Sequence, residues 1–280
     1  MELSTIKRNI TRVKDGLSNT VFDDLAIEEP LEIQLEYGAL TNRQCKSISI
    51  TMRTPVHDKD LAIGFLYTEG IITKAEDVIA IKNAESWMSE NPNNVIIVQL
   101  KPDVVVDLNR LERHFYTSSS CGVCGKSSID ALKTVRMPIL KQGEPKVNKD
   151  TILLLPETLR KSQEVFDSTG GLHASAIFNT KGEMLLVRED VGRHNAVDKL
   201  AGAALMNKLI PLNNHIILFS GRASFELVQK SAMMNIAIMA AVGAPSSLAA
   251  SLAEEAGMTL IGFLREGRFN IYTHSERINE

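Results

Sequence analysis

His215-Ile216-Ile217-Leu218-Phe219-Ser220 is a short apolar run, Gly221-Arg222-Ala223 interrupts it, and a helical pattern follows from Ser224 to Ala241. An apolar run this short, bounded by a glycine, suits a strand buried in a sheet. A strand that feeds a helix through a tight loop is half of an α/β unit. The alternation continues in both directions. Downstream, Pro245 to Gly257 reads as a helix, Met258 to Phe263 as a strand and Arg268 to Tyr272 as a last strand. Upstream, a helix runs from about Pro156 to Phe166. Ala174 to Asn179 and Met184 to Arg188 are strands joined by the turn Thr180-Lys181-Gly182, and Asn195 to Lys208 is helical. Residues 151–280 therefore read as an α/β domain, a layered sheet with helices on its faces.

Residues 1–116 read as an N-terminal arm and an α+β domain. The first 20 residues look like a loosely held arm. Leu31, Ile33, Leu35 and Tyr37 then alternate as in a strand ending at Gly38. Ser47 to Met52 alternates again, which puts Ile48, Ile50 and Met52 on one face. Asp58 caps a helix that Gly70 ends, and Val95–Leu100 and Val104–Leu108 are expected strands. Between the two domains, residues 117–150 read as a mobile surface connection. Thr117-Ser118-Ser119-Ser120 leads into Cys121-Gly122-Val123-Cys124, a short helical pattern spans Ser127 to Val135, and the chain is polar from Lys141 to Lys149.

The 280 residues are 44% apolar and 23% charged, which excludes disorder, collagen and coiled coil as descriptions of the whole chain. A net charge of −3 provides no overall field for a polyanion, so nucleic acid is not an expected partner. Met1 to Asn19 is polar and mixed in charge, unlike a signal peptide. The most apolar stretch, Ala232 to Ala244, is broken by Asn235 and stopped by Pro245, too soon to span a membrane. A cytoplasmic protein is expected. Three cysteines, Cys45, Cys121 and Cys124, do not make a disulfide framework and point to a reducing compartment.

The pair Cys121/Cys124 admits several chemistries. Structural zinc needs four ligands, and there is no second pair; His114 and His173 do not stand at finger-like spacing, so zinc would have to bridge subunits. A dithiol redox pair is a second reading, and two inert surface cysteines a third. A fourth is a reactive thiolate. Lys126 and the N–H groups at the start of the helical pattern lower a thiol's pKa, and a polar glycine-bearing loop keeps sulfur reachable.

Three polar clusters lie at strand–helix or strand–strand junctions. Glu189-Asp190-Val191-Gly192-Arg193-His194-Asn195 puts acids, an arginine and a histidine in one turn. Asp190 alone suits a helix cap. Arg193 can clamp a phosphate bidentately, and His194 can donate to one or move a proton. Ser220-Gly221-Arg222-Ala223-Ser224 lets backbone approach an anion before a helix N-terminus, but it is neither a Walker A loop nor Gly-x-Gly-x-x-Gly. Gly262-Phe263-Leu264-Arg265-Glu266-Gly267-Arg268 turns one strand into the next, with arginines that can stack on bases or pair with phosphates. Each also suits an ordinary turn with surface charges.

Taken together, Ser120-Cys121-Gly122-Val123-Cys124-Gly125, Glu189 to His194, Ser220 to Ser224 with Val228-Gln229-Lys230-Ser231-Ala232, and Gly262-Phe263 through Arg268 with Tyr272-Thr273-His274 resemble the FdhD/NarQ family, from about residue 25 to the C-terminus. The resemblance implies a sulfurtransferase needed to make formate dehydrogenase active. Such proteins take persulfide sulfur from a cysteine desulfurase and pass it to the molybdenum cofactor, bis(molybdopterin guanine dinucleotide), before that cofactor enters the dehydrogenase. The persulfide cysteine maps to Cys121 and its neighbour to Cys124. The guanine-dinucleotide segment maps to Phe263, Leu264, Arg265, Glu266, Gly267 and Arg268, so GDP or GMP would mimic the cofactor. Glu266 departs from members with proline or a small residue there. Arg193 and Arg222 join Arg268 as candidates to hold phosphates, from their charge and placement. The implied fold is α/β, a cytidine-deaminase-like three-layer core with a smaller N-terminal α+β domain, assembled as a homodimer. The deaminases' zinc signature is not matched, so neither zinc nor deamination is carried over. A non-catalytic cofactor chaperone, and a dithiol or zinc-binding protein, are the alternative functions.

Overall fold

The structure, a computed structural model, describes residues 4–86, 88–89, 91–107, 140–141, 143–163, 165, 169–265 and 267–280. Cys121, Cys124, Lys126 and Glu266 lie outside the described residues.

The chain begins with a two-stranded antiparallel ribbon, β1 (Thr5–Lys14) and β2 (Leu17–Ala26). The sequence reading of a loose arm missed it. Asp15-Gly16 between two runs of apolar–polar alternation is the turn signal, and both residues have positive φ as a two-residue hairpin requires. A four-stranded sheet follows, built from β3 (Glu29–Tyr37), β4 (Gln44–Arg53), β5 (Val78–Asn83) and β6 (Val95–Leu100) in the order β4-β3-β6-β5, with helix α1 (Asp58–Thr68) between β4 and β5. Two expectations fail here. Val104–Asp107 is not a strand: residues 101–107 pair in no ladder, Leu108 is not described, and the antiparallel partner of β6 is β5. Ile48 does not share a face with Ile50 and Met52. The β3–β4 register slips at Ile33/Gln34, the extra residue turns Ile48 into the core, and Ile50 stays 57% exposed.

The C-terminal part comprises β7 (Val147–Asn148), α2 (Lys149–Arg160), β8 (His173–Asn179), β9 (Met184–Asp190), α3 (Arg193–Met206), β10 (His215–Phe219), α4 (Phe225–Met233), β11 (Ile238–Ala241), α5 (Ser247–Glu255), β12 (Thr259–Arg265), β13 (Arg268–Thr273) and β14 (Ile278–Asn279). Six of these strands form one mixed sheet, β13-β12-β11-β10-β8-β9, in which β10, β11 and β12 run parallel. Burial is continuous along β10 after its first residue and along all of β11, which requires cover on both faces. The continuous helix read from Ser224 to Ala241 is therefore a helix and a strand. The helix stops at Met233, Asn235 turns left-handed at φ 61°, and Ile238–Ala241 enters the sheet. Helix α2 also begins earlier than expected, because Asn148 caps it by accepting from the Asp150 N–H at 2.7 Å.

One continuous apolar core runs from Leu31 and Leu61 through Leu200 and Ile217 to Leu264, so the two parts are fused. Helices α1 and α3 meet at Gly64 and Gly202, where a β-carbon on either residue would lie within 2 Å of the other helix's backbone. Buried polar bonds lock the same seam. Lys230 of α4 reaches Asp198 (2.9 Å) and Glu69 (3.1 Å), while Thr68 donates to Asp198 at 2.7 Å. Burial would lower the Lys230 ammonium, but Asp198 and Glu69 outweigh it and raise its pKa. The described end of the expected mobile connection is pinned. Leu140 is buried, and Arg277, fully buried, donates to the carbonyls of Lys141 and Glu144 at 2.7 Å each.

Candidate functional site

The registers bring the predicted clusters to one edge of the six-stranded sheet. Strands β10, β11 and β12 end there, β8 and β13 begin there, and β9 ends there at Asp190, opposite His173. In open α/β sheets the carboxyl ends of parallel strands are where ligands bind, because the loops diverge and helix N-termini face the gap. At about 4.8 Å per strand, the line from β8 to β12 is about 15 Å long.

Hydrogen bonds continue past the strand ends and join the loops into a shelf. Ala174 N–H donates to Ser220 Oγ (2.9 Å), Gly243 N–H to Gly221 O (2.9 Å) and Phe263 N–H to Gly243 O (3.1 Å). Phe263 sits at φ 55°, a left-handed conformation that costs a non-glycine residue about 1 kcal/mol or more. It is held at a bulge where the β12–β13 register slips between Gly262 and Arg265. The bulge leaves Arg265, Gly267 and Arg268 exposed and sends Leu264 fully into the core. Leu264, placed in the binding segment from the sequence, thus presents only its backbone.

Arg193 is half-buried at the first position of α3, and Arg222 is exposed in the loop before α4. Neither makes an ion pair among the described residues; nor do Arg265 and Arg268. Helices α3 and α4 both start at this edge without a side-chain cap on their first N–H groups. The shelf is therefore an edge of free guanidinium groups and open helix N-termini, complementary to phosphates.

Asp190 of the Glu189–Asn195 cluster serves the scaffold. Asp190, fully buried, pairs with Lys199 at 2.7 Å and accepts from the N–H groups of Gly192 (2.8 Å) and Thr54 (3.2 Å) and from Asn195 Nδ2 (3.0 Å). Lys199 also donates to Thr54 O at 2.7 Å, so the turn that presents Arg193 is braced from the N-terminal sheet. The sequence reading missed Lys199, for which only its place one turn after Asn195 was a signal.

His194 donates or accepts through Nε2 at 3.1 Å from Glu226 Oε2, which also accepts from Ser224 Oγ at 3.3 Å. Burial would raise the Glu226 carboxyl, but these bonds and the His194 charge hold it below its ordinary value. His173 stands against Gly221, whose β-carbon position lies 3.3 Å from His173 Nδ1. Burial first, and then Arg193, push the His173 imidazole below its ordinary value, so it is neutral at neutral pH. Glu226 escaped the sequence reading because a glutamate in the first turn of a helix is common and ordinarily solvated.

Among the described residues no group of three or more His, Cys, Asp or Glu could hold a metal ion, and no helix is long and apolar enough to cross a membrane. Cys45, the one cysteine described, is exposed on β4; partial burial of its sulfur and then Glu36 push its thiol up, away from a reactive thiolate. A cavity of about 320 Å³ lies at the opposite edge of the sheet, beside Lys141, Asn213, Asn214 and Asn235, and includes none of the predicted site residues.

The model of the FdhD/NarQ family matches residues 26–279. A sulfur carrier protein FdhD from Streptomyces coelicolor is 48% identical over 277 residues, 98% of this chain and 95% of the relative. One from Saccharolobus solfataricus is 44% identical over 274 residues, 98% of each chain. Among solved structures, a putative formate dehydrogenase accessory protein from Desulfotalea psychrophila superposes with a TM-score of 0.74 at 25% identity, covering 99% of this chain and all of that one.

Proposed function

The chain belongs to the FdhD/NarQ family, and from that premise we propose that it is a sulfur carrier that serves a formate dehydrogenase by sulfurating its molybdenum cofactor. The observation that carries this reading is the shelf. A cofactor with two guanine dinucleotide arms offers pyrophosphates and flat bases, and the shelf offers Arg193, Arg222, Arg265 and Arg268, two open helix N-termini and the half-buried ring of Phe263 at a held backbone position. Leu264 and Gly267 contribute backbone only.

In this reading the thiolate of Cys121 attacks the terminal sulfur of a cysteine desulfurase persulfide. A new S–S bond forms on Cys121, and the desulfurase cysteine leaves as its thiolate. The sulfur is then passed to bis(molybdopterin guanine dinucleotide) on the shelf, with Cys124 as the second thiol. The finer reading of the fold, a cytidine-deaminase-like three-layer core, is supported by the sheet order and by the burial of β10 and β11 on both faces. A homodimer suits a cofactor with two like ends, each held by an equivalent shelf.

The test is twofold. Incubation with desulfurase and cysteine should add the mass of one sulfur to the chain and not to C121A, and C121A should fail to activate formate dehydrogenase. GDP should bind the wild-type chain and bind R193A and R222A about tenfold or more weakly each, as expected for loss of a charge-assisted phosphate contact. Full activation by C121A would replace this reading with that of a cofactor chaperone.

A further inference from the structure

We propose that His194 and Glu226 are the proton-transfer pair of the sulfur-insertion step. His194 delivers a proton to the oxygen ligand that sulfur displaces, and Glu226 is its positioning residue. The inference rests on the sulfur-carrier reading above and adds a role for two residues which that reading leaves unused.

Two carboxylates near this edge, Asp190 and Glu226, differ in how they are satisfied. Asp190 spends both oxygens on four donors: Gly192 and Asn195 on one, Thr54 and Lys199 on the other. That is the pattern of a brace. Glu226, only 7% exposed, spends one oxygen on His194 and Ser224 and leaves Oε1 sealed from solvent with no donor from another residue. A glutamate in the first turn of a helix can keep its head in water at no cost, whereas burying a half-satisfied carboxylate is unfavourable. The side chain is turned in to meet an imidazole.

The consequence for His194 is a fixed tautomer. An ionised Glu226 requires hydrogen on Nε2, so Nδ1 is the nitrogen that gains and loses a proton. Nδ1 makes no hydrogen bond among the described residues, and the side chain is 16% exposed. A carboxylate behind one nitrogen and an open second nitrogen is the arrangement of a general acid–base imidazole. The titratable groups that meet it are Glu226 on α4, at 3.1 Å, and neutral His173 on β8, which itself feels Arg193 and Asp190.

The Cys124 thiolate attacks the Cys121 sulfur of the persulfide, forming the Cys121–Cys124 disulfide and releasing hydrosulfide with the electron pair of the broken S–S bond. Hydrosulfide replaces a hydroxide on the molybdenum of the substrate cofactor. Imidazolium Nδ1–H protonates that hydroxide, which leaves as water, and His194 remains as the Nε2–H tautomer on Glu226. A cellular dithiol later reduces the disulfide.

The experiment compares wild type with H194Q, E226Q and E226D, each folded by circular dichroism. It measures sulfur loaded on the chain by intact mass, GDP affinity by calorimetry, and the initial rate of formate dehydrogenase activation across pH 5.5–8.5. Loading and GDP affinity should stay within about twofold of wild type. Activation should fall on the order of 100-fold in H194Q, with its pH dependence flattened, and about tenfold or more in E226Q. E226D, which keeps a carboxylate, should recover part of the E226Q loss. Wild-type activation rates and pH profiles in H194Q and E226Q would overturn the proposal, as would a loss of GDP affinity that accounts for the whole defect. Failure of the sulfur-carrier reading itself appears separately, as full activation by C121A.

Discussion

Replacing Gly202 with alanine should destabilise the whole chain, although alanine is the better helix former. A β-carbon on Gly202 would lie 1.9 Å from the carbonyl oxygen of Asp60, and one on Gly64 would lie 1.7 Å from that of Asp198. Non-bonded contacts to carbon settle near roughly 3.5 Å, so α1 and α3 must part by more than ~1 Å. The obstructing atoms are backbone, which cannot rotate aside as a side chain can. Overpacking of a tight core costs about 1–3 kcal/mol, and this contact belongs at the upper end. The intrinsic preference of alanine over glycine in a helix returns about 1 kcal/mol. The net loss is about 2 kcal/mol, a sizeable share of the usual 5–15 kcal/mol, and should lower the thermal midpoint by roughly 4–8 °C. The buried contacts of Lys230, Asp198 and Thr68 cross the same seam and would lengthen with it. Urea titration of G202A, G64A and the double variant measures the effect. The double variant should lose less than the two single losses combined, because helices already parted accommodate the second methyl group. A G202A chain as stable as wild type would refute the close-crossing argument.

Removal of residues 4–26 should leave the midpoint of the remaining chain within about 2 °C of wild type, because β1 and β2 pair mainly with each other and expose Phe22 (71%) and Leu17 (69%); a large drop in a thermal melt would show that the ribbon is part of the core. K199M should cost about 3–5 kcal/mol by leaving buried Asp190 without its cation, and D190N/K199M should recover part of that loss in the same urea titration. Burial holds both His173 and His215 below the ordinary imidazole value, so the folded state binds fewer protons than the unfolded chain at mildly acid pH. Their contribution is intact above about pH 6.5 and is lost as pH falls below it, with a slope of at most about 1.4 kcal/mol per pH unit each. H215Q should flatten the fall in stability between pH 7 and 5, and an unchanged slope would refute the assignment.

The residues show where sequence reading succeeds. The alternation of Leu31, Ile33, Leu35 and Tyr37, the helical run from Asp58, and the hairpin around Thr180-Lys181-Gly182 are written in contacts only a few residues apart, although Asp58 does not cap its helix: the cap position is His57, and Asp58 pairs with Arg53 instead. The arginines of the shelf were legible for the same reason: small residues and a cation at a strand end mark a loop wherever the strand lies. Three of the misreadings share a cause in strand pairing. Ile238–Ala241 is too short for its period to separate strand from helix, and only its place between β10 and β12 makes it a strand. Ile48 faces the core because of one residue's slip against β3, and β5 exists because β6 offers it an edge.

The α/β class, the arginines at the strand ends and the resemblance to one family were thus present in the order of residues, because periodicity, turn chemistry and motif spacing are local. The single shelf was not. His173, Arg193, Arg222 and Phe263 are far apart along the chain, and they meet because six strands pair in one particular order. The division of labour between Asp190 and Glu226 was not legible either. Two acids beside two helix starts look alike in sequence, and only burial and the donors brought by distant segments make one a brace and leave the other an oxygen without a partner.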